Sequence, residues 1–283
     1  MDNNLNFFLK SYLHERPFFL SLIRAKELSL YEKYVHFKGK ILDVGCGDGF
    51  FAKVLFTKNP GDQSHNGIPR HAPGAARDDI ISHDVVSLTG LDIKESRMEE
   101  AKALNVYDKI VEYDGERMPF KPNTFDTVFS NCVLEHVEKL DEVLKETYRI
   151  LVKGGIFIAP VMAKPWEENL VGSLLFGNSY KAWMRKKQVH VNLLTSEEWD
   201  RHFKKAGFKI EKKEGYLSPR ACMLMDAAHY LSVPSLISRI LFKRWVLFPS
   251  LTVKLYPFNY IEKILTEPVE VSKSGAIFYV LKK

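Results

Sequence analysis

The chain has 283 residues, 46% of them hydrophobic and 27% charged, with a formal net charge of +6. That length can hold one α/β domain of about 200 residues plus extra elements, and the composition is that of an ordinary globular protein. Cys46, Cys132 and Cys222 are scattered and odd in number, Met1 is followed by no basic or apolar leader pattern, and no apolar run is long enough to span a bilayer; no disulfide framework, signal peptide or membrane span is expected, and a reducing, cytoplasmic location is.

Basic residues mostly interleave with acids, as in Glu211-Lys212-Lys213-Glu214, and no arginine-rich tract occurs. Such a distribution makes nucleic acid an unlikely partner.

Residues 1–37 place Phe7, Phe8, Leu9, Tyr12 and Leu13, then Phe18 to Ile23 and Leu28 to Tyr34, at the spacing of two short amphipathic helices. Pro17 opens the second of them. Ile41-Leu42-Asp43-Val44-Gly45-Cys46-Gly47-Asp48-Gly49 then reads as a buried parallel strand running into a glycine-rich turn, with a helix following through Leu55. Gly45, Gly47 and Gly49 permit positive φ and close approach of a ligand, while the helix start offers unpaired N–H groups. The turn is suited to hold something polar.

Between Thr57 and Leu88 the hydrophobic period disappears into Asn-Pro-Gly-Asp, Asn-Gly-Ile-Pro and Ala-Pro-Gly turn chemistry, which reads as an inserted loop. His65, His71 and His83 lie in it at irregular spacing and without cysteine partners, so no metal site is expected. Gly90-Leu91-Asp92-Ile93 is a second strand ending in a carboxylate, followed by a helix over Glu95 to Leu104. Lys109 to Tyr113 is a third strand leading to Asp114-Gly115-Glu116, and Phe125 to Ser130 a fourth leading to Asn131. A helix over Leu140 to Leu151 closes at Lys153-Gly154-Gly155, and Ile156 to Val161 is the fifth strand. Strands alternating with helices imply a parallel sheet with helices on both faces.

Beyond Pro160 the pattern changes. An aromatic segment carries Trp166, Phe176, Tyr180 and Trp183, and a helix starts at Thr195 or Ser196 with Glu197 and Glu198 in its first turn. Gly207-Phe208 leads into a strand through Ile210, and the last strand runs from Gly275 to Leu281. Between them, residues 216–274 are rich in Leu, Phe, Tyr and Trp and, from Tyr216 to Lys263, carry Arg220, Arg239, Lys243, Arg244, Lys254 and Lys263 against Asp226 and Glu262. Apolar plus basic is the composition of a surface that leans on a membrane or grips an amphiphilic acceptor, and a helical lid burying its own apolar face on the sheet is the plainer reading.

On the motifs from residue 38 to 162, taken in order, the sequence resembles the class I S-adenosylmethionine-dependent methyltransferases, in particular the small-molecule branch that includes quinone-ring methylases. The resemblance implies an α/β, Rossmann-like, doubly wound sheet of about seven mostly parallel strands with an antiparallel last strand, plus helical cap and lid insertions. It implies a helical cap at 1–37, a core of 38–215 with 275–283 interrupted by the 57–88 loop, and a lid at 216–274, where the family has a short hairpin. In the family the acidic strand end follows the glycine turn by about 20 residues, whereas Asp92 lies 43 beyond Gly49.

The resemblance also implies site roles. Gly45, Gly47 and Gly49 would admit the methionyl part of S-adenosylmethionine and Asp43 steady its amino group. Asp92 would accept from the ribose hydroxyls and Ile93 pack on the adenine, whose amino group Asp114 would receive, with Gly115 and Glu116 presenting backbone. Asn131 would face the sulfonium and the acceptor, and S-adenosylhomocysteine would be the product. Each acid has a plainer reading, Asp92 as a helix cap, Asp114 as a turn former and Asp43 as a brace for loop backbone, while Asp126 is read as structural and holding the glycine turn.

Methyl transfer from a sulfonium depends mainly on positioning, so no nucleophilic triad is expected. For a hydroxyl acceptor His136, after the fourth strand, is the first candidate base and His190 the second. The expected acceptor is a small or lipid-linked molecule methylated at oxygen, with peripheral contact at the inner face of a membrane through 216–274. Methylation of RNA or protein is an alternative, disfavoured for base nitrogens because Ser130-Asn131-Cys132-Val133 stands where an Asn-Pro-Pro-Tyr type tetrad would. A catalytically silent cofactor-binding scaffold is another, disfavoured by the intact glycines and acids.

Overall fold

The structure, a computed structural model, describes residues 3–56, 84–94 and 96–283. Most of the expected 57–88 loop, with His65, His71 and His83, lies outside the described residues. Its last residues do not belong to a loop at all: Asp84 to Leu88 are strand, because they pair with the start of the first strand from Lys38↔Asp84 onward.

Seven strands, β1 (Lys38–Val44), β2 (Asp84–Ile93), β3 (Lys109–Tyr113), β4 (Phe125–Phe129), β5 (Leu151–Met162), β6 (Lys209–Gly215) and β7 (Ala276–Lys282), form one sheet in the order β3-β2-β1-β4-β5-β7-β6. The pairs β3/β2, β2/β1, β1/β4 and β4/β5 are parallel. The amides of Gly154 and Lys283 donate to Lys283 O and Gly155 O, joining the start of β5 to the end of β7, so β7 runs antiparallel. The Lys153-Gly154-Gly155 turn expected to close the preceding helix is thus part of β5, recruited by those bonds. The strand order reverses between β1 and β4, the place where open α/β sheets bind ligands at their carboxyl ends.

Chain compactness divides the protein into two units. The sheet-bearing unit comprises residues 34–161, 197–213 and 278–283; the other, largely helical, comprises 1–33, 162–196 and 214–277. The 162–196 segment is expected within the core. It groups instead with the helices described below, because its hydrogen-bonding partners are there.

In the sheet-bearing unit the helices are α3 (Phe50–Phe56), α4 (Met98–Leu104), α5 (Leu140–Ile150) and α8 (Ser196–Lys205), the last beginning one residue before the division. Val128 pairs with Phe157 and Phe129 with Ile158, so Phe129 and Phe157 point to opposite faces of the sheet. Phe56 of α3 packs against Phe37 and Phe129, whereas Phe203 of α8 packs against Phe157 and Tyr279. Both faces are therefore covered, as a doubly wound sheet requires. α5 buries Leu140, Val143, Leu144, Thr147 and Ile150, one face at helical spacing. Asp126 accepts from Lys40 N–H at 2.8 Å. It thus braces the irregular start of β1, where the register shifts between Gly39 and Lys40, and not the glycine turn at the other end.

In the helical unit α1 (Asn3–Glu15) buries Leu5, Phe8, Leu9, Tyr12 and Leu13 along one stripe, and α2 (Phe18–Tyr34) begins after Pro17, as expected. α6 (Pro165–Glu168) and α7 (Val171–Gln188) come from the aromatic segment, and α9 (Pro219–Leu231), α10 (Val233–Phe242), α11 (Pro249–Lys254) and α12 (Phe258–Leu265) from the 216–274 insertion. Ser218 caps α9 by accepting from Ala221 N–H at 3.1 Å. Within α7, Gly177 adopts φ +60 and kinks the helix.

Buried polar groups tie these helices together. Tyr216 OH donates to Glu27 at 2.9 Å, and Asn6 Nδ2 donates to Glu262 at 2.6 Å. Asp226, buried on α9, accepts from Gly172 N–H at 3.0 Å and from Tyr180 OH at 2.6 Å. Removing that carboxylate leaves two donors without their acceptor, so Asp226→Ala should destabilise the protein by about 3 kcal/mol, two hydrogen bonds to a charged group. Urea denaturation followed by tyrosine and tryptophan fluorescence measures this; an unshifted midpoint would contradict the assignment.

Candidate functional site

The carboxyl ends of β1, β2, β3 and β4 carry the expected cofactor residues. Gly45 and Cys46 both donate their amides to Leu91 O, at 2.8 and 3.2 Å, so the glycine turn hangs from the end of β2. Asp92, 8% exposed, completes the attachment. One of its carboxylate oxygens accepts from Gly47 N–H at 2.6 Å and the other from Ile93 N–H at 2.8 Å.

The three glycines are required for different reasons. All have φ between +54 and +80. A Cβ on Gly45 would stand 2.4 Å from Val133, and one on Gly49 would stand 3.1 Å from both Ala101 and Tyr107. At Gly47 a Cβ would meet nothing within 4 Å. Gly45 and Gly49 are thus small because protein fills the space beside them, while Gly47 faces an open cradle.

Asp43 is buried at the end of β1, where Tyr107 OH donates to it at 2.6 Å. Burial first, then the Asp43 charge, pushes the Tyr107 phenol well above its ordinary range, so it stays a hydrogen-bond donor. Burial, then Asp43 and Asp92, likewise pushes the Cys46 thiol upward, which rules it out as a thiolate nucleophile. Asp48 accepts from Phe50 N–H at 3.1 Å and pairs with Arg97 at 3.0 Å, joining the turn to the start of α4.

Ile93, the last residue of β2, is 41% exposed next to Asp92 and offers an apolar surface. Asp114 is exposed and closes its own turn, accepting from Glu116 N–H at 2.9 Å and Arg117 N–H at 3.1 Å. Those backbone donors, the Glu116 amide above all, hold its carboxyl below the usual carboxylate range. Gly115 has φ +82, and Glu116 pairs with Lys139. Burial, then the charges of Asp92 and Asp114, pushes the neighbouring Tyr113 phenol up to about 12.

Asn131 is buried just past β4. The β4–β5 ladder continues on either side of it, through Ser130 N–H to Ile158 O and Cys132 N–H to Pro160 O, before Cys132 at φ +53 turns the chain away. His136 ends the short 3-10 turn Leu134–His136 and is exposed. His190 belongs to the helical unit, just past the left-handed cap Val189 of α7, with its ring 5.1 Å edge-on from Trp166. The glycines, Asp43, Asp92, Ile93, Asp114, Gly115, Glu116 and Asn131 thus gather at the strand ends of one unit, while the two candidate bases lie in different units.

Three supports escaped the sequence reading. Tyr107 is one, since nothing local to it signals a partner 64 residues away. Val133, which fills the space beside Gly45, is another. The third is a clamp in which Arg149 donates to Met118 O at 3.0 Å and Phe120 O at 2.8 Å while Glu146 accepts from Met118 N–H at 3.0 Å. Glu146 and Arg149 are legible as an i, i+3 pair on a helix, but not the loop backbone they grip.

A parallel sheet reversing between β1 and β4, with a glycine cradle and a buried acid side by side at its carboxyl edge, defines a nucleoside-cofactor-binding α/β protein. Residues 74–159 match the methyltransferase domain family. Among curated relatives, squalene methyltransferase 1 of Botryococcus braunii is 29% identical over 56% of this chain and 40% of its own length. Malonyl-[acyl-carrier protein] O-methyltransferase of Legionella pneumophila is 26% identical over 70% of this chain and 57% of its own. The chain therefore spans roughly half the length of these relatives. In fold it is similar to an S-adenosylmethionine-dependent methyltransferase from Mesorhizobium loti, with a TM-score of 0.53 and 16% identity over 93% of this chain and all of that one. The chain carries a class I S-adenosylmethionine-dependent methyltransferase domain, and S-adenosylmethionine is its cofactor.

The residues present fit that cofactor. The space above Gly47 admits a ligand where any side chain would intrude, and Ile93 offers an exposed apolar surface beside the acid. Each oxygen of Asp92 accepts one backbone N–H and retains capacity for a hydroxyl donor.

The division among the glycines can be read directly. Gly45→Ala should cost about 2–5 kcal/mol of stability, overpacking against Val133 plus left-handed strain. Gly47→Ala should cost only about 1–2 kcal/mol of strain but weaken S-adenosylhomocysteine roughly tenfold or more. Thermal unfolding and calorimetric titration of both variants check this; equal behaviour would refute the open cradle.

Burial sets the Asp92 carboxyl above its ordinary value of 3.8, against the lowering by the Gly47 and Ile93 amides. On acidification it therefore takes up its proton earlier than an exposed aspartate, and an acceptor for hydroxyl donors is lost. S-adenosylhomocysteine affinity should accordingly fall as pH drops toward that raised value and recover above it. In Asp92→Asn the affinity should be lower throughout and flat over that range; a pH dependence like that of the unaltered protein would assign the titration elsewhere.

Proposed function

We propose that the protein transfers a methyl group from S-adenosylmethionine to a hydroxyl oxygen of a small-molecule or lipid-linked acceptor. The observation that carries this reading is the Asp92 carboxylate holding the Gly47 amide beneath an open glycine turn, with Ile93 exposed beside it. Two relatives bear on the reading: one is named a squalene methyltransferase, which speaks for a lipid-type acceptor, and the other a malonyl-[acyl-carrier protein] O-methyltransferase, which speaks for oxygen. The chain's apolar and basic 216–274 segment suits such acceptors and peripheral contact with the inner face of a membrane; nucleic acid is not an expected partner.

The bound cofactor supplies an activated methyl on a sulfonium. This chain's part is to place it. Asp92 receives the ribose hydroxyls, Ile93 packs on the adenine, and the turn of Asp114, Gly115 and Glu116 borders the base. The methionyl end lies over Gly45, Gly47 and Gly49, near the buried carboxylates of Asp43 and Asp92, whose negative charge complements a positively charged ligand. Asn131 faces the reacting end. Alignment of nucleophile and methyl can contribute about 7–11 kcal/mol, which leaves little for covalent catalysis to do. His136 takes the proton of the attacking hydroxyl, with His190 the second candidate.

Incubation with methyl-labelled S-adenosylmethionine and a lipid extract should place label in the organic phase. His136→Gln should reduce the transfer rate by about 100-fold or more while leaving S-adenosylhomocysteine affinity unchanged. Label found only in protein or RNA would overturn the acceptor class, and cofactor binding with no transfer to any fraction would favour a silent binding protein.

A further inference from the structure

Among the described residues, α10 is turned inside out. Val233, Leu236, Ile237, Ile240 and Leu241 fall at i, i+3, i+4, i+7 and i+8, a single helix face. In a helix packed on a core that face is buried; here these side chains are 48–66% exposed. The buried position is polar: Ser238, whose hydroxyl donates to Arg244 O at 2.6 Å. The exposure continues past the left-handed cap Lys243, with Phe248, Leu251 and Leu255 all outward at a spacing of three and four.

The charge around this face has one sign. From Ala227 to Ile261 the sequence contains no Asp or Glu, while Arg239, Lys243, Arg244 and Lys254 flank the apolar stripe. Arg239 sits over the Trp245 ring at 5.8 Å and donates to Lys243 O at 2.7 Å, so an aromatic and a guanidinium are held together at the helix end. A Trp beside cations is the pairing found at the level of lipid headgroups. At 10 residues α10 is about 15 Å long, half of a hydrocarbon core of about 30 Å, and no described helix is long and apolar enough to cross a membrane. A short helix with an apolar face and basic flanks lies in the plane of the interface.

We propose that residues 233–255 dock on an anionic bilayer surface, with Ile237, Ile240, Leu241, Phe248 and Leu251 entering the headgroup region and Arg239, Lys243, Arg244 and Lys254 facing lipid phosphates. This rests on the membrane contact in the reading above and narrows it from the 216–274 segment to one helix face and its continuation. A basic rim selects an anionic lipid surface over an apolar protein groove, and it makes the attachment sensitive to salt.

The full chain, sedimented with phosphatidylcholine vesicles with and without phosphatidylglycerol, tests this. Binding is expected to the mixed vesicles at low salt, weakened at high salt and weak on phosphatidylcholine alone. The double variant Ile237→Glu, Leu241→Glu should bind at least tenfold more weakly, and Lys243→Gln, Lys254→Gln should lose most of the preference for phosphatidylglycerol. All four positions are exposed, and unchanged S-adenosylhomocysteine titration in each variant shows that the cofactor site is intact. No sedimentation at low salt, or equal sedimentation of the glutamate variant, overturns the proposal while leaving the cofactor reading standing. A lipid-independent dimer in light scattering that the glutamate variant dissolves would assign the face to a second copy of the chain, and overturns it too.

Discussion

The hydrogen bond from the Gly47 amide to the Asp92 carboxylate, beside those from the Gly45 and Cys46 amides to Leu91 O, joins the ends of β1 and β2, and the arrangement of the site depends on it. Parallel pairing brings Val44 opposite Leu91. β1 then ends in the glycine turn while β2 runs on through Asp92 and Ile93, paired with β3, so a carboxylate on β2 can reach an amide of the turn. A buried carboxylate is costly unless it is supplied with donors, and a left-handed glycine turn leaves amides without partners. Each requirement answers the other. With the turn held by Leu91 O and Asp92, the space beside Gly47 stays open, and Ile93, next to Asp92 in the chain, is exposed.

The surroundings keep that opening from collapsing. Val133 fills the space beside Gly45, and Ala101 with Tyr107 fills that beside Gly49. Tyr107 also donates to Asp43, the second buried acid beside the turn. In the loop between β3 and β4, the Glu146–Arg149 pair fixes the backbone at Met118 and Phe120. These contacts explain a site built mainly of backbone and acids. Burial and the acidic neighbours of Cys46, the cysteine in the turn, push its thiol upward, away from the thiolate form.

The helical unit follows another logic. Its core is ordinary along α1 and α2, whose stripes are buried and whose polar groups, Glu27 and Glu262 among them, find partners. In α10 the amphipathic pattern is as regular as in α1, but the polar residue is inward and the apolar stripe outward. Periodicity alone shows that such a helix has an apolar face; it does not say what the face meets.

The strand–glycine turn–helix at 41–55, the acid ending β2, the third strand and the two N-terminal helices were legible in the sequence, because each is dictated locally by hydrophobic period, glycine or proline. So was the gathering of the acidic residues at the carboxyl edge, which follows from parallel topology. Packing between distant segments decided the rest. The start of β2 at Asp84 and the extension of β5 through Gly154 and Gly155 come from ladder bonds to partners far along the chain. Asp126 braces the start of β1 and not the glycine turn because its strand runs beside β1. The hold of Tyr107 on Asp43 and the exposure of the α10 stripe are likewise tertiary outcomes: a residue's neighbours along the chain determine which face it shares, and only the folded chain determines what lies across from that face.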